Sequence, residues 1–532
     1  MRQHRTISAS MERPHSPKIT SSPAACDTLS CLLRELGAKP TDFDCIVTGD
    51  LGRVGADLLL TLLREDGVVA ATASREYPTY YPENGWAEQD AEDSYNAACA
   101  NIRELLEKTG VAPEDVAALA LDAATHTAVL LGEDDRPVRR AIYWTDTRAS
   151  AEAAQLKREM GPALMEECYN SVSSLWTLPQ LMWLKKHEPE TLRKTRKVLA
   201  VKDYVRYRMT GDYVTDTIEA MGFLLLDARK NQWSETLCAM AGLDVRLMPP
   251  IVEPTTHLSP LTAQAQADTG LTAKTAVIAG ATDTVMEVYA AGAVHEGQAT
   301  VKLATAGRIC SITDHEVVDP RLVTYRHVVN GLWYPGTATK SCAASNRWYR
   351  DTFGGSFDEM SKAAAEVSRG CEGLFFHPYL QGEITPYLDD RLRASFVGAA
   401  GFHTKAHFNR AVLEGVAYSM KDCFATLVEL GIAPTQAVAI GGGAKSGLWR
   451  QILADMLNIP LKTVENVDSS LGSAMLAGVA VGVFASHADA VERCVREQGV
   501  TLPDPEGVDF YNERFKLYKE IQAALAPIYH KL

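Results

Sequence analysis

The chain has 532 residues, with 53 Lys and Arg against 67 Asp and Glu for a formal net charge of −14, and it is 46% hydrophobic and 23% charged. That composition is ordinary for a globular protein and excludes global disorder, collagen-like and coiled-coil classes, while roughly 100–200 residues per domain allows two large domains or three average ones. The acidic balance argues against nucleic acid, eleven scattered Cys without a C-x-x-C pair fit reduced thiols, and no apolar run reaches the ~18–20 residues of a membrane helix, so a cytoplasmic protein without a membrane partner is expected.

Residues 1–25 are Ser-rich, with four Arg or Lys against one Glu and no apolar core, which excludes a secretory signal and reads as a disordered leader. Leu29, Leu32, Leu33 and Leu36 recur at helical spacing between Asp27 and Gly37 and predict a capped amphipathic helix. Cys45 to Gly49 reads as a short buried strand, and the stripe Leu58, Leu59, Leu62 and Leu63 predicts a second helix ending at Glu65-Asp66-Gly67. From Val68 to Tyr77 the texture is that of a strand, followed by the turn Tyr81 to Gly85 and a helix from about Ala91 to Thr109. Val116 to Leu121 and Ala128 to Leu131 read as strands, 147–168 and 176–209 as helical, and Pro249, Pro250, Pro254 and Pro260 mark the best linker. Beyond it come a strand at Ala276 to Gly280, a helix, strand pairs over 299–338, alternating elements to Gly482, and a last helix with Tyr511, Phe515, Tyr518 and Ile521 on one stripe. Strands interleaved with helices on both sides of a linker predict two α/β lobes with a ligand cleft between them.

Three turns are suited to chemistry. Gly441-Gly442-Gly443-Ala444-Lys445-Ser446 joins a strand to a helix, where glycines admit a nucleotide close to the backbone; Ala444 stands where a P-loop needs Gly before Lys-Ser. Val301 to Gly307 is a small-residue turn leaving a strand, with the Thr305 hydroxyl and backbone N–H groups placed for phosphate oxygens. In Gly280-Ala281-Thr282-Asp283 the Asp follows a strand and opens a helix, a position from which a carboxylate takes a proton from a substrate hydroxyl. Taken singly, each reads equally well as an ordinary turn or helix cap. His403 and His407 lack the intervening Glu of a zinc protease, so no zinc is expected.

Further segments line up in order: Gly85-Trp86-Ala87-Glu88-Gln89-Asp90, Tyr143-Trp144-Thr145-Asp146-Thr147-Arg148, Lys202-Asp203-Tyr204 with Arg206-Tyr207-Arg208, Pro378-Tyr379-Leu380, Gly382-Glu383, Thr385-Pro386, and His403 to His407 through Arg410 to Val416. With Gly280 to Asp283 and Gly441 to Gly443, they make residues from about 68 to 525 resemble the FGGY carbohydrate kinases, two-lobed α/β enzymes of the actin-like ATPase (ribonuclease H-like) fold with a central cleft. The resemblance implies ATP-dependent phosphorylation of a sugar hydroxyl with Mg²⁺. It makes Asp283 the catalytic base and a sugar contact. His126, Trp144 and Asp146 become further sugar contacts, and Thr305, Gly307, Gly441, Gly442, Gly443 and Lys445 contacts to ATP. Within the family the chain is most similar to the xylulokinase branch, which implies a ketopentose such as xylulose. Of that branch's Gln-Met-His-Gly segment, Ala124-Thr125-His126-Thr127 keeps only His126. The implied lobes are 68–255 for sugar and 256–500 for nucleotide, with a terminal helix over 501–532. The expected partners are the sugar and ATP, and a homodimer is left open.

The family opens on a strand with Asp-x-Gly-Thr and a β-hairpin that hold Mg²⁺ and the phosphates. Here Asp50-Leu51-Gly52 is followed by Arg53-Val54-Gly55 and the leucine-rich helical pattern, with Asp50 in the place of the family's metal- and phosphate-binding Asp. Residues 23–67 are also similar to a segment of stage V sporulation protein AD, a thiolase-like protein, through Ala24 to Thr28, Asp42-Phe43-Asp44, Thr48 to Leu51 and Val54-Gly55. An atypical segment over 26–67, joined near Gly67 to a kinase without its first phosphate hairpin, is therefore expected. The alternatives are a divergent native N-terminus in which Asp50 still serves, and a catalytically impaired sugar- or nucleotide-binding protein.

Overall fold

The structure, a computed structural model, describes residues 45–53 and 57–532, with side chains from Leu58 onward; the leader and the helix expected over 29–36 lie outside the described residues. The first sheet begins with β1 (Cys45–Arg53), β2 (Asp57–Arg64) and β3 (Val69–Glu76), an antiparallel meander. Helix α1 (Ala91–Thr109) then leads to β4 (Val116–Ala123), which runs parallel to β1. Much later in the chain β5 (Ala276–Val277) and β6 (Ala281–Thr282) join β4 in parallel, giving the order β5-β4-β1-β2-β3 with β6 also on β4.

The expected helix over Leu58 to Leu63 is therefore a strand, and a hairpin arm follows Asp50 after all. The reason lies in burial on both faces. Leu58, Leu60 and Leu62 pack with Ile102 and Leu105 of α1, while Leu63 points the other way, into a core shared with Met286 and Met475. A strand covered on both sides carries a nearly continuous apolar run, and a continuous run of leucines mimics a helical stripe.

Two more expectations change. Within the stretch read as helical over 176–209, Lys197–Ala200 is a strand paired with Ala128–Leu131, and helix α2 (Val201–Thr210) follows it. The Pro-rich stretch does not end the first lobe, because Ile251–Val252 pairs with Thr215–Asp216 just before helix α3 (Thr217–Gly222), and 276–282 completes the first sheet. Helix α4 (Asp283–Ala290) starts directly from that sheet and carries the chain to the second one.

The second sheet repeats the first one's plan. β7 (Gln298–Leu303), β8 (Gly307–Ser311) and β9 (Gly336–Thr339) form an antiparallel meander. Helix α5 (Lys405–Glu429) precedes β10 (Gln436–Ile440), parallel to β7. Helix α6 (Gly447–Leu457), β11 (Leu461–Val464), helix α7 (Ser469–Ala480) and β12 (Glu497–Thr501) complete the order β9-β8-β7-β10-β11-β12. Helix α8 (Pro505–Tyr529) lays Tyr511 and Tyr518 into this core with Phe515 and Ile521 beside them, the stripe seen in the sequence. Among the described residues no helix is long and apolar enough to cross a membrane.

Candidate active site

Parallel pairing sets Asp50, Asp122 and Ala281 level with one another, so the chain leaves β1, β4 and β6 at one edge of the first sheet. Ligands of parallel α/β sheets sit beyond such carboxyl ends. Asp283 comes two residues after Ala281, as the first residue of α4. The approach demands glycine at 280: φ is +77°, and a Cβ there would lie 2.0 Å from the Leu121 carbonyl oxygen.

The Thr284 backbone N–H and hydroxyl donate to Asp283 Oδ1 at 2.5 and 3.1 Å. Burial pushes the Asp283 carboxyl up to about 6; the nearby Lys302 ammonium opposes that shift and the Glu287 carboxylate adds to it. Lys302, on β7, is ion-paired to Glu287, one turn further along α4, at 2.5 Å. A carboxyl near 6 is ionised at neutral pH yet retains more basicity than an exposed Asp, which suits a general base.

His126 sits just beyond β4 in a left-handed conformation, φ +70°. Its Nδ1 pairs with the Gly222 carbonyl at 2.8 Å, so that nitrogen carries the proton and Nε2 accepts from the Tyr325 hydroxyl at 3.3 Å. Burial, opposed by the bond to the Gly222 carbonyl and helped by the Arg308 charge, holds the imidazole down to about 4. Arg308, on β8, also interacts electrostatically with Tyr325 and Asp283. His126, Tyr325, Arg308 and Asp283 thus share one neighbourhood, of which the sequence reading found His126 and Asp283. Trp176 closes it edge-on to His126 at 4.4 Å.

The two other sugar-contact candidates are placed differently. Both Asp146 oxygens are engaged by protein: the Ala87 N–H donates at 2.6 Å, and Arg148 donates through its backbone N–H, Nε and Nη2. Arg148 in turn pairs with Glu88 at 2.9 Å and lies over the Trp86 ring at 3.7 Å. Asp146 therefore clasps two of the sequence motifs together. Trp144 has a buried indole N–H with no hydrogen-bond partner among the described residues.

On the nucleotide side, the turn between β7 and β8 and the loop after β10 lie against each other. A Cβ on Gly441, whose φ is +85°, would fall 2.8 Å from the Leu303 carbonyl oxygen, and one on Gly443 2.8 Å from the Leu303 Cβ. Gly307 is equally enclosed, with Met420 Sδ 2.6 Å from the position of a Cβ. Thr305 and Gly442 are exposed, as is Lys445, while Arg347 donates to the Thr305 hydroxyl at 3.4 Å. Two glycine-lined turns thus lie side by side, each leaving a strand, an arrangement of the kind whose backbone N–H groups can take phosphates.

Beneath the site lies a buried charge network on the Lys202 to Arg206 motif. Lys202 bonds Asp203 at 2.6 Å and Asp216 at 2.8 Å, Arg206 bonds Asp203 at 3.0 Å, and both cations donate to the Ala279 carbonyl. That carbonyl is in the segment leading to Asp283, so the network fixes its backbone. The side chain of Asp50 lies outside the described residues. Asp122, its neighbour in register and fully buried, accepts from the Ser473 hydroxyl of α7. His407, half of the histidine pair, serves the capping box of α5.

Sequence profiles of the FGGY family of carbohydrate kinases match over 50–289 for its N-terminal domain and 312–481 for its C-terminal domain. The chain belongs to the FGGY family of carbohydrate kinases. It is 33% identical to the xylulose kinase of Bacillus subtilis over 477 residues, covering 89% of this chain and 95% of that one. A ligand-bound xylulose kinase and a gluconate kinase from Lactobacillus acidophilus each superpose with a TM-score of 0.87 at 26% identity, covering 92% of this chain and 99% of theirs. The FGGY chain is thus a sugar kinase with the two-domain actin-like ATPase fold. Residues 8–77 also match the profile of stage V sporulation protein AD. That match overlaps the FGGY one from 50 to 77, and the expected seam at Gly67 falls inside the overlap. Gly67 is a turn glycine with φ +82° whose absent Cβ would lie 2.2 Å from the Arg493 carbonyl oxygen, so this turn is fitted to the rest of the kinase.

Proposed function

We propose that this FGGY kinase phosphorylates a hydroxyl of a ketopentose such as xylulose, using ATP, with Asp283 as the base. The observation that carries the reading is the Asp283 carboxyl, held near 6 at the sheet edge and beside His126, Tyr325 and Arg308. Asp283 would take the proton as the acceptor oxygen attacks the γ-phosphorus of ATP, while the turn at Thr305 and Gly307 and the loop Gly441 to Gly443, with Lys445, would hold the phosphates. His126, neutral and with a fixed tautomer, would lie against the sugar and hold the Tyr325 hydroxyl, whose oxygen would accept a hydrogen bond from the sugar. Trp144 would offer its indole N–H, and Asp146 would hold that segment in place.

Mg²⁺ is implied by the family. The register places Asp50 beside Asp122, an oxygen-only pair whose chemistry suits this hard cation, and these residues would hold it. When bound, the ion spreads the charge of the transferring phosphoryl group. The β1–β2 pairing restores the hairpin arm after Asp50, while the altered Arg53-Val54-Gly55 sequence, on which the reading of an impaired binding protein rests, is still there for the assay to judge.

A coupled ADP-release assay over ketopentoses, ketohexoses, polyols and aldonates tests the proposal. Turnover is expected to be highest with a ketopentose and to fall by roughly 10²–10⁴-fold in Asp283→Asn. No turnover with any acceptor, alongside measurable sugar binding, would sink it.

A further inference from the structure

We infer that Glu219 and Arg308, both within electrostatic reach of Tyr325, are acceptor-binding residues that hydrogen-bond oxygen atoms of the sugar. The inference rests on the reading of the His126–Asp283 neighbourhood as the acceptor site. Glu219, on α3, is 0% exposed, and neither carboxyl oxygen has a hydrogen-bond partner of good geometry. The Thr125 hydroxyl, next to His126, is the side-chain contact of that carboxyl, and it fits there because residue 222 is glycine: a Cβ would fall 1.8 Å from Thr125 Oγ1. Arg308 Nη2 is sealed from solvent without a hydrogen-bond partner among the described residues, while the guanidinium meets the Cys310 thiol and acts electrostatically on Asp283. Tyr325 feels the charges of both residues and donates to His126.

A buried carboxyl whose oxygens lack a well-formed hydrogen bond and a guanidinium Nη2 that lacks one are costly by themselves and become favourable when a polyhydroxylated ligand pairs with them. Their chemistry is complementary. Burial pushes Glu219 up to about 8, so at neutral pH it is a carboxylic acid able to donate one hydrogen bond and accept another, as a sugar hydroxyl requires. Arg308 presents a planar donor fork that matches two neighbouring oxygens, such as the keto and hydroxyl pair of a ketose or the carboxylate of an aldonate.

The test is binding of D-xylulose and of D-xylonate to the full-length protein by calorimetry without ATP, with melting temperature as a check of folding. Glu219→Leu and Arg308→Leu are each expected to weaken binding of whichever sugar the unmodified protein takes by about tenfold or more. Glu219→Gln, which keeps both a donor and an acceptor, is expected to restore it to within about threefold. ATP affinity is expected to stay unchanged in all of them. Because removing an unpartnered buried polar group costs little stability, a merely structural role predicts folded leucine variants that bind sugar normally, and that result overturns the inference. Asp283→Asn separates the two readings: loss of turnover with sugar binding intact concerns the base alone. Exclusive binding of D-xylonate would remove the ketopentose from the proposed function and leave the two residues to be judged on their variants.

Discussion

Asp283 and Glu219 are both buried acids with raised pKa values, and their different neighbours give them opposite states at neutral pH. Asp283 faces Lys302 and Glu287 and feels Arg308, and its carboxyl, near 6, ionises below neutrality. If the ionised form acts as the proposed base, kcat should rise tenfold per pH unit up to about 6 and level off above it; a pH–rate profile flat down to about pH 4.5 would remove Asp283 from that role. Glu219 faces Lys202, Asp203 and Asp216, and burial dominates, so its carboxyl stays protonated up to about 8. Its folded pKa lies above the ordinary 4.5, so the native state holds a proton that the unfolded chain releases, and stability drains away as pH rises from 4.5 towards 8. Glu219→Gln removes that loss. Its melting temperature should match the unmodified protein near pH 5 and exceed it by a few degrees near pH 8, measured by calorimetric scans at the two pH values.

Strand β2 shows why one element was misread and how its true form can be tested. On the helical reading Leu58, Leu59, Leu62 and Leu63 are core and Leu60 is off the stripe; in the strand Leu60 is fully buried between Leu58 and Leu62. Leu60→Lys should therefore cost about 3–5 kcal/mol, measured by denaturant unfolding, whereas a helix would tolerate it. Periodicity could not decide this, because Thr61, the one polar break in the run, is itself buried and hydrogen-bonded to Ser470 of α7 at 2.6 Å. The glycine turns were legible for the opposite reason: Gly280, Gly441 and Gly67 stand where a Cβ would strike a carbonyl, and such positions leave a residue-type signature. Asp283 and His126 were legible through the motifs around them. Glu219, Arg308 and Lys302 were not, since a charged residue in a short helix or strand carries no local sign that tertiary packing has sealed it against others far along the chain.

At the scale of the molecule, the two sheets repeat one topology and meet through α4, which begins at the first sheet and leads into β7 of the second. The Lys302–Glu287 pair ties that helix to β7, so the second sheet supplies the cation that opposes the upward shift of the Asp283 carboxyl. The ionisation of Asp283, on a helix of the first sheet, is thereby tied to a charge carried by a strand of the second. Substitutions on either side of the pair should move the acid limb of the pH–rate profile in opposite directions. Lys302→Met removes the attraction and leaves the Glu287 charge unpaired, so the limb should shift upward by about one pH unit. Glu287→Gln removes the like charge and frees Lys302 to act on Asp283, so the limb should shift downward. Equal shifts in one direction would mean that both variants act by loosening the helix, whereas opposed shifts require that the charge on β7 reaches the Asp283 carboxyl on α4.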